Sequence, residues 1–249
     1  VNTDASEVPP AGPPAARRHE PSRRQAQADT TRSQLLLAAE RLYATHGISE
    51  VSNRQVAEAA GSANNSAVGY YLGTKSDLLE AMLSAHNDPI AQDMKRMVER
   101  TAGSPHLHDY VQCLVRPYTD HLARLGTPSW FARVIAQVVT DPTLVRTRLF
   151  ETTLGPTMRQ AFSAMWPQIA AAPEGTVEMR QHVLRNMVIH TCAEQERLAH
   201  HSGTPADWEL VSEVLIHSVT AILTHVPECA ADPSDSAPSE HSGDPDPTV

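Results

Sequence analysis

The chain is poor in the features that mark several protein classes. Three cysteines, Cys113, Cys192 and Cys229, show no paired spacing and no CxxC. A disulfide scaffold and a cysteine-based zinc site are therefore not expected, and a reducing, cytoplasmic setting fits. No apolar run approaches the roughly 18–20 residues that span a bilayer. The first residues are rich in Pro and Arg without an apolar core, so neither a membrane span nor a secretory leader is read. Strand signals are missing as well: no sustained alternation of apolar and polar residues occurs, and no hairpin turn joins β-branched runs. There is no GxSxG, P-loop or dinucleotide fingerprint, which leaves no basis for an enzyme or a bound cofactor. Thirteen histidines invite a metal reading, but His106 with His108, His200 with His201, and His190 with Glu194 match no metal-ligand pattern, and no metal is expected.

What is present is a polarised chain. The net charge is −9, yet residues 17–75 hold seven Arg and one Lys against five acids, a balance of +3. Residues 76–249 hold 12 basic and 22 acidic side chains, a balance of −10. Phosphate responds to the local field rather than to the total, so a basic front on an acidic body is compatible with a nucleic-acid partner; a solvated mixed-charge surface is the alternative. Residues 1–28 carry five prolines and two arginine pairs, Arg17-Arg18 and Arg23-Arg24, and almost no large apolar side chains, which predicts a disordered extension. The pairs read either as part of a dangling tail or as an arm that reaches a neighbouring groove. Residues 227–249, with five prolines, six acids and no Lys or Arg, read as a disordered acidic tail.

Between the tails the apolar spacing is helical. Leu35, Ala38, Ala39, Leu42 and Tyr43 lie on one face, and so do Val134, Ile135, Val138 and Val139. Val183, Met187, His190 and Cys192 fall in one long candidate, and Val211, Val214, Leu215 and Val219 in the last. Glycines 47, 61, 73, 103, 126, 175 and 203 punctuate these stretches. The expectation is an all-α fold of about nine helices: a helix-turn-helix domain over 29–75 and a helical domain over 76–226. Pro89 should kink or interrupt the helix starting near Ser76, and Pro117, Pro156 and Pro167 pose the same problem later.

The most specific stretch runs from Arg32 to Leu79. Ser52 and Gln55 form a capping box that opens a short helix ending at Gly61. The turn Ser62-Ala63-Asn64 leads to a third helix over Asn65 to Tyr71; Gly73 ends it and Thr74 caps the next. Two short helices joined by such a turn can lay the second in a DNA major groove, and Asn64, Asn65 and Ser66 supply polar side chains at its start. Asn64 reads either as that helix's N-cap or as a base contact.

Residues 31–82, with LLLAAERLYATHG, VSNRQVAEAAG and VGYYLGTKSDLL, resemble the DNA-binding domain of the TetR family of bacterial transcriptional regulators. The resemblance implies a homodimer in which each subunit has this front domain and a C-terminal domain for ligand and dimer contacts. It implies base or phosphate contacts from Arg54, a base-facing helix start at Asn65, Ser66 and Ala67, an aromatic phosphate-contacting region at Tyr70, with Tyr71 the packed member of the pair or a second contact, and phosphate contact from Lys75 beside Thr74. Departures are a turn one residue longer than the common pattern, Gly69 in place of Tyr or Asn, Tyr71 in place of His and Leu72 in place of Phe. They leave the register of base contacts open by about one residue.

In the ligand half, Tyr118, Trp130, Phe131, Phe150, Phe162 and Trp166, with Met158 and Met187, fall where family pockets lie, and Arg133, Gln137 and His190 are the candidate polar groups. For any single one of them, plain core packing is the reading to prefer. Helices over about 177–201 and 206–225 are implied to form the dimer contact. The implied function is a ligand-responsive repressor, released from a pseudo-palindromic double-stranded operator by an unidentified small-molecule effector. The alternatives are an activator on the same fold, or a small-molecule-binding or catalytic helical module without specific DNA binding.

Overall fold

The computed structural model describes residues 23–141, 154–166, 169 and 176–225. Those residues form nine α-helices and no strand: α1 (Arg23–His46), α2 (Asn53–Ala59), α3 (Ala67–Tyr71), α4 (Lys75–Thr101), α5 (Leu107–Leu125), α6 (Phe131–Thr140), α7 (Leu154–Met165), α8 (Thr176–Ser202) and α9 (Trp208–Thr224). The division drawn after residue 28 falls inside α1. Arg17-Arg18, Pro167, Gly175 and the acidic tail lie outside the described residues.

The front domain is small and its ends are explicitly satisfied. The Ser52 hydroxyl accepts from Gln55 N at 3.3 Å while Ser52 N donates to Gln55 Oε1 at 2.8 Å, so the box read in the sequence opens α2. Thr74 and Asp77 repeat the device at α4, with Thr74 N donating to Asp77 Oδ2 at 2.8 Å. Gly73 between them sits at φ +83°, and a Cβ there would stand 2.6 Å from Asp77 Oδ2, so that turn needs glycine on two counts. Leu35, Tyr43, Val56, Ala57, Val68 and Leu78 are fully buried together as the domain's core.

α4 carries the chain from this domain into the body. It runs through Pro89 without interruption, and α5 runs through Pro117. A proline removes one intrahelical bond, and both helices bury long apolar faces, including Met82, Ile90 and Met94 on α4 and Val111, Val115 and Leu122 on α5. That burial outweighs the lost bond. Pro156 falls in the first turn of α7, where its missing N–H has no intrahelical partner to lose. In the body α5 packs on α4 and α9, α6 on α8, and α7 on α4 and α5. Arg116 of α5 ties α9 through Glu209, at 3.1 Å, and Glu213.

Candidate nucleic-acid interface and ligand cavity

The turn before α3 is held by its own side chains. Asn64 Oδ1 accepts from Ser66 N at 2.9 Å, and the Ser62 hydroxyl accepts from Asn64 N at 3.3 Å. That arrangement absorbs residues 64–66 into the turn, so α3 begins at Ala67, two residues later than the spacing suggested. Helical periodicity then sorts the side chains. Asn65, Ser66, Gly69 and Tyr70 are exposed, whereas Ala67 and Val68 are buried and Tyr71 is half-buried against the core. Tyr70, 81% exposed, stands edge-on against Tyr71 with ring centroids 4.8 Å apart.

Three of the sequence candidates are thus open to solvent, Asn65 and Ser66 in the turn and Tyr70 on α3. Arg54 is exposed on α2, where its Nε donates to Glu58 Oε1 at 2.8 Å. An exposed pair of this kind is screened by solvent and contributes little, so phosphate can displace it. Lys75 donates from Nζ to the Ser49 carbonyl at 3.0 Å and pins the loop before α2 to the start of α4. Thr74 is occupied with Asp77. Ala67 points into the domain and offers no exposed surface to a base.

Two polar links join this domain to the body. Gln137 of α6 donates from Nε2 to the Tyr43 carbonyl at 2.8 Å and accepts from Ile48 N at 3.0 Å, clamping the end of α1. Deeper, His86 Nε2 lies 2.9 Å from Glu40 Oε2 and His86 Nδ1 lies 2.8 Å from His121 Nε2, so a chain of bonds crosses α1, α4 and α5. The His86 ring stacks on Phe131 at 4.0 Å.

Burial, followed by the His86 ring and Arg124, pushes His121 down to about 4, with Asp93 pulling the other way. An unfolded histidine titrates near 6.5. Between those values the unfolded chain binds a proton that the folded one refuses, so stability is full above pH 6.5 and falls as pH drops towards 4. The expected loss is no more than about 3 kcal/mol. Urea unfolding of wild type at pH 7 and pH 4.5 should show it, and His121→Asn should flatten the difference; an equal slope in both proteins would remove His121 as its source.

Between α4, α5, α6, α7, α8 and α9 lies a cavity of about 170 Å³. Tyr118, Phe131, Met158 and Phe162 line it, together with Ile90 and Leu184. The other sequence candidates stand elsewhere. Arg133 is bound to Glu196 at 3.2 Å, and Gln137 is the clamp on α1. Trp130 abuts His200, and Trp166 and His190 are exposed. Met187 packs half-buried on the core. Phe150 lies outside the described residues. Sequence reasoning passed over Asn87, Gln181 and Arg185, which do line the cavity. Asn87 was detectable in principle, as an amide on the stripe Leu83, Asn87, Ile90, Met94 of α4.

Among the described residues there is no cluster of three or more His, Cys, Asp or Glu able to hold a metal, and no helix long and apolar enough to cross a membrane. Residues 112–221 match the family model of the tetracyclin repressor-like C-terminal domain. No curated protein matches the chain in sequence. In structure it resembles AmtR of Mycobacterium smegmatis, at 19% identity and TM-score 0.51, covering 82% of this chain and 88% of that one. It also resembles SmeT, the repressor of the Stenotrophomonas maltophilia multidrug efflux pump SmeDEF, at 18% identity and TM-score 0.50, covering 81% and 98%. These likenesses carry the fold, and the family model covers most of the body behind a helix-turn-helix front. The chain thus carries a region similar to the tetracyclin repressor-like C-terminal domain behind a helix-turn-helix front.

Proposed function

We propose that this DNA-binding regulator acts as a dimeric repressor that a small molecule releases from its operator. The observation that carries the reading is the open front of α3, where Tyr70 stands exposed on a helix whose other side is packed into the domain core, and Asn65 and Ser66 stand exposed in the turn that leads into it. Asn65 and Ser66 would read base edges, while Tyr70, Arg54 and Lys75 would meet phosphates and set register. The same domain is tied to the cavity wall: Phe131 and Ile135 line the cavity on the helix whose Gln137 holds α1. A ligand that displaces Phe131 also disturbs its stack on His86 and hence the bond to Glu40. Release then follows if the ligand binds better to the form whose recognition helices mismatch the half-sites. Action is by binding, without turnover.

The test is anisotropy of labelled DNA from upstream of the chain's own gene, with random-sequence competitor and a salt titration. Specific binding should survive competitor and weaken steeply with salt. Asn65→Ala should cost about 1–3 kcal/mol and relax sequence preference, whereas Tyr70→Ala should weaken all sequences alike. Random genomic selection covers an operator placed elsewhere. If neither source yields a sequence bound more tightly than random DNA, and Asn65→Ala and Tyr70→Ala each bind as wild type does, the reading is wrong.

A further inference from the structure

The walls of the cavity specify the chemistry of what enters it, and this inference rests on the cavity being the effector site. Its lining is apolar apart from a few groups, and among the described residues no carboxylate is part of it. Among the described residues the one charged side chain in it is Arg185, exposed on α8 one turn beyond Gln181. The informative residue is Asn87. It is only 3% exposed, lines the cavity and makes no side-chain hydrogen bond to another described residue, and among those residues the Tyr118 hydroxyl in the same wall is buried without a partner. An amide on the buried face of a helix is costly unless something meets it. Here that something is water or the polar atom of a ligand, and a ligand without such an atom leaves the amide unpaired.

We propose that the effector is a compact apolar molecule carrying an uncharged carbonyl or hydroxyl oxygen, which bonds the Asn87 amide, and that lipophilic cations are excluded. Size supports this: the cavity volume of about 170 Å³ is close to the roughly 150 Å³ of an engineered apolar cavity that admits benzene. One ring or a short chain therefore fits inside. Charge supports it too, because a cation would leave water for a wall with no anion and would stand near Arg185. Asn87 adjoins His86 in the chain, and Phe131 meets both the cavity and the His86 ring, so an occupant of this shape touches the route to α1 from two sides.

Three probes of one shape test the assignment by ligand-observed NMR titration of the full chain without DNA: acetophenone, ethylbenzene and 1-phenylethylammonium. Acetophenone should bind roughly 3–10-fold more tightly than ethylbenzene, and the ammonium at least about 10-fold more weakly than ethylbenzene. Asn87→Leu should lower the acetophenone-to-ethylbenzene ratio by at least about 3-fold, the Tyr118 hydroxyl being the other donor in the wall. Asn87→Ala is the second variant, with the same expectation for the ratio, should the leucine not fold. Val188→Trp, which fills the cavity, should abolish binding of all three. An unchanged ratio in the Asn87 variants, an ammonium as tight as the ketone, or binding indifferent to Val188→Trp would each overturn the proposal. Acetophenone that binds in this pattern yet leaves the operator complex intact would uphold the site and overturn release as its consequence. Absence of saturable binding overturns the site whatever the DNA result.

Discussion

Glu196→Ala should destabilise the protein by about 3–5 kcal/mol, the cost typical of breaking a buried ion pair from one side. Glu196 sits on α8 only 2% exposed and accepts four bonds: from the Ser129 hydroxyl at 2.9 Å, Ala132 N at 3.2 Å, Arg133 N at 3.0 Å and Arg133 Nε at 3.2 Å. α6 has no side-chain cap of its own, since Trp130 occupies that position. A carboxylate from another helix therefore satisfies the orphan N–H groups that Ser or Asp ordinarily serves. Burial pushes the Glu196 carboxyl up, opposed by the N–H groups, the hydroxyl and the Arg133 guanidinium. Removing it leaves those donors unpaired and strands the Arg133 charge, whose side chain is 12% exposed. Glu196→Gln should recover only part of the loss, because its NH₂ turns a donor towards donors. Urea unfolding monitored by circular dichroism gives the number, and a loss below about 1 kcal/mol would mean that water substitutes for the carboxylate. A functional consequence follows, because α6 carries both Phe131 and Gln137: a frayed α6 should weaken operator binding in step with stability.

Glu196 also shows where sequence reading stops. Its partners are 63 to 67 residues away, and nothing at i+3 or i+4 announces them; the local pair His190 and Glu194 drew attention instead, while Glu194 in fact bonds Arg197 on the surface. Glu40, His86 and His121 are separated by 46 and 35 residues, so only packing reveals their chain. Local devices were legible because their physics is local. The capping box at Ser52 forms as its spacing implies, Thr74 caps α4, and glycines 47, 61, 73, 103, 126 and 203 adopt positive φ. Side-chain competition decided one local detail against the simple pattern: Asn64 bonds Ser66 N, so the turn keeps two residues that spacing alone gave to the helix. Ala67 could not be sorted from Ser66 until the helix start was known, because a shift of two residues rotates the face by about 200°, whereas Tyr71 packs and Tyr70 is exposed as the sequence reading of the pair expects. For the cavity, composition located the aromatics of the central helices but not their directions, and Trp130 and Arg133 lie away from it for that reason.

The second large effect concerns assembly. On α8, Met179 is 63% exposed and Val183 and Leu198 are each 46% exposed; on α9, Leu210 and Val214 are 60% and 55% exposed. Met179 with Val183, and Leu210 with Val214, are each four residues apart, so each pair makes a stripe along one face rather than scattered exposure. Packed against the same stripes of a second copy, they would form a four-helix contact whose hydrophobic gain is about 25 cal/mol per Å² buried. Leu210→Asp with Val214→Asp puts two carboxylates on that face. Both side chains point to solvent in the single chain, so its fold should lose little, on the order of 0.5 kcal/mol per site. The dimer should not survive, because pairing would bury four unpaired charges, two from each copy. Light scattering should report the monomer mass, and circular dichroism an unchanged helix content. Operator affinity should fall by about 10²–10⁴, the advantage of linking two half-site contacts, while affinity for an isolated half-site stays constant. A variant that remains dimeric would place the interface elsewhere. A monomer that still binds the full operator as wild type does would mean that a single recognition helix supplies the affinity, and the half-site spacing mechanism would fail with it.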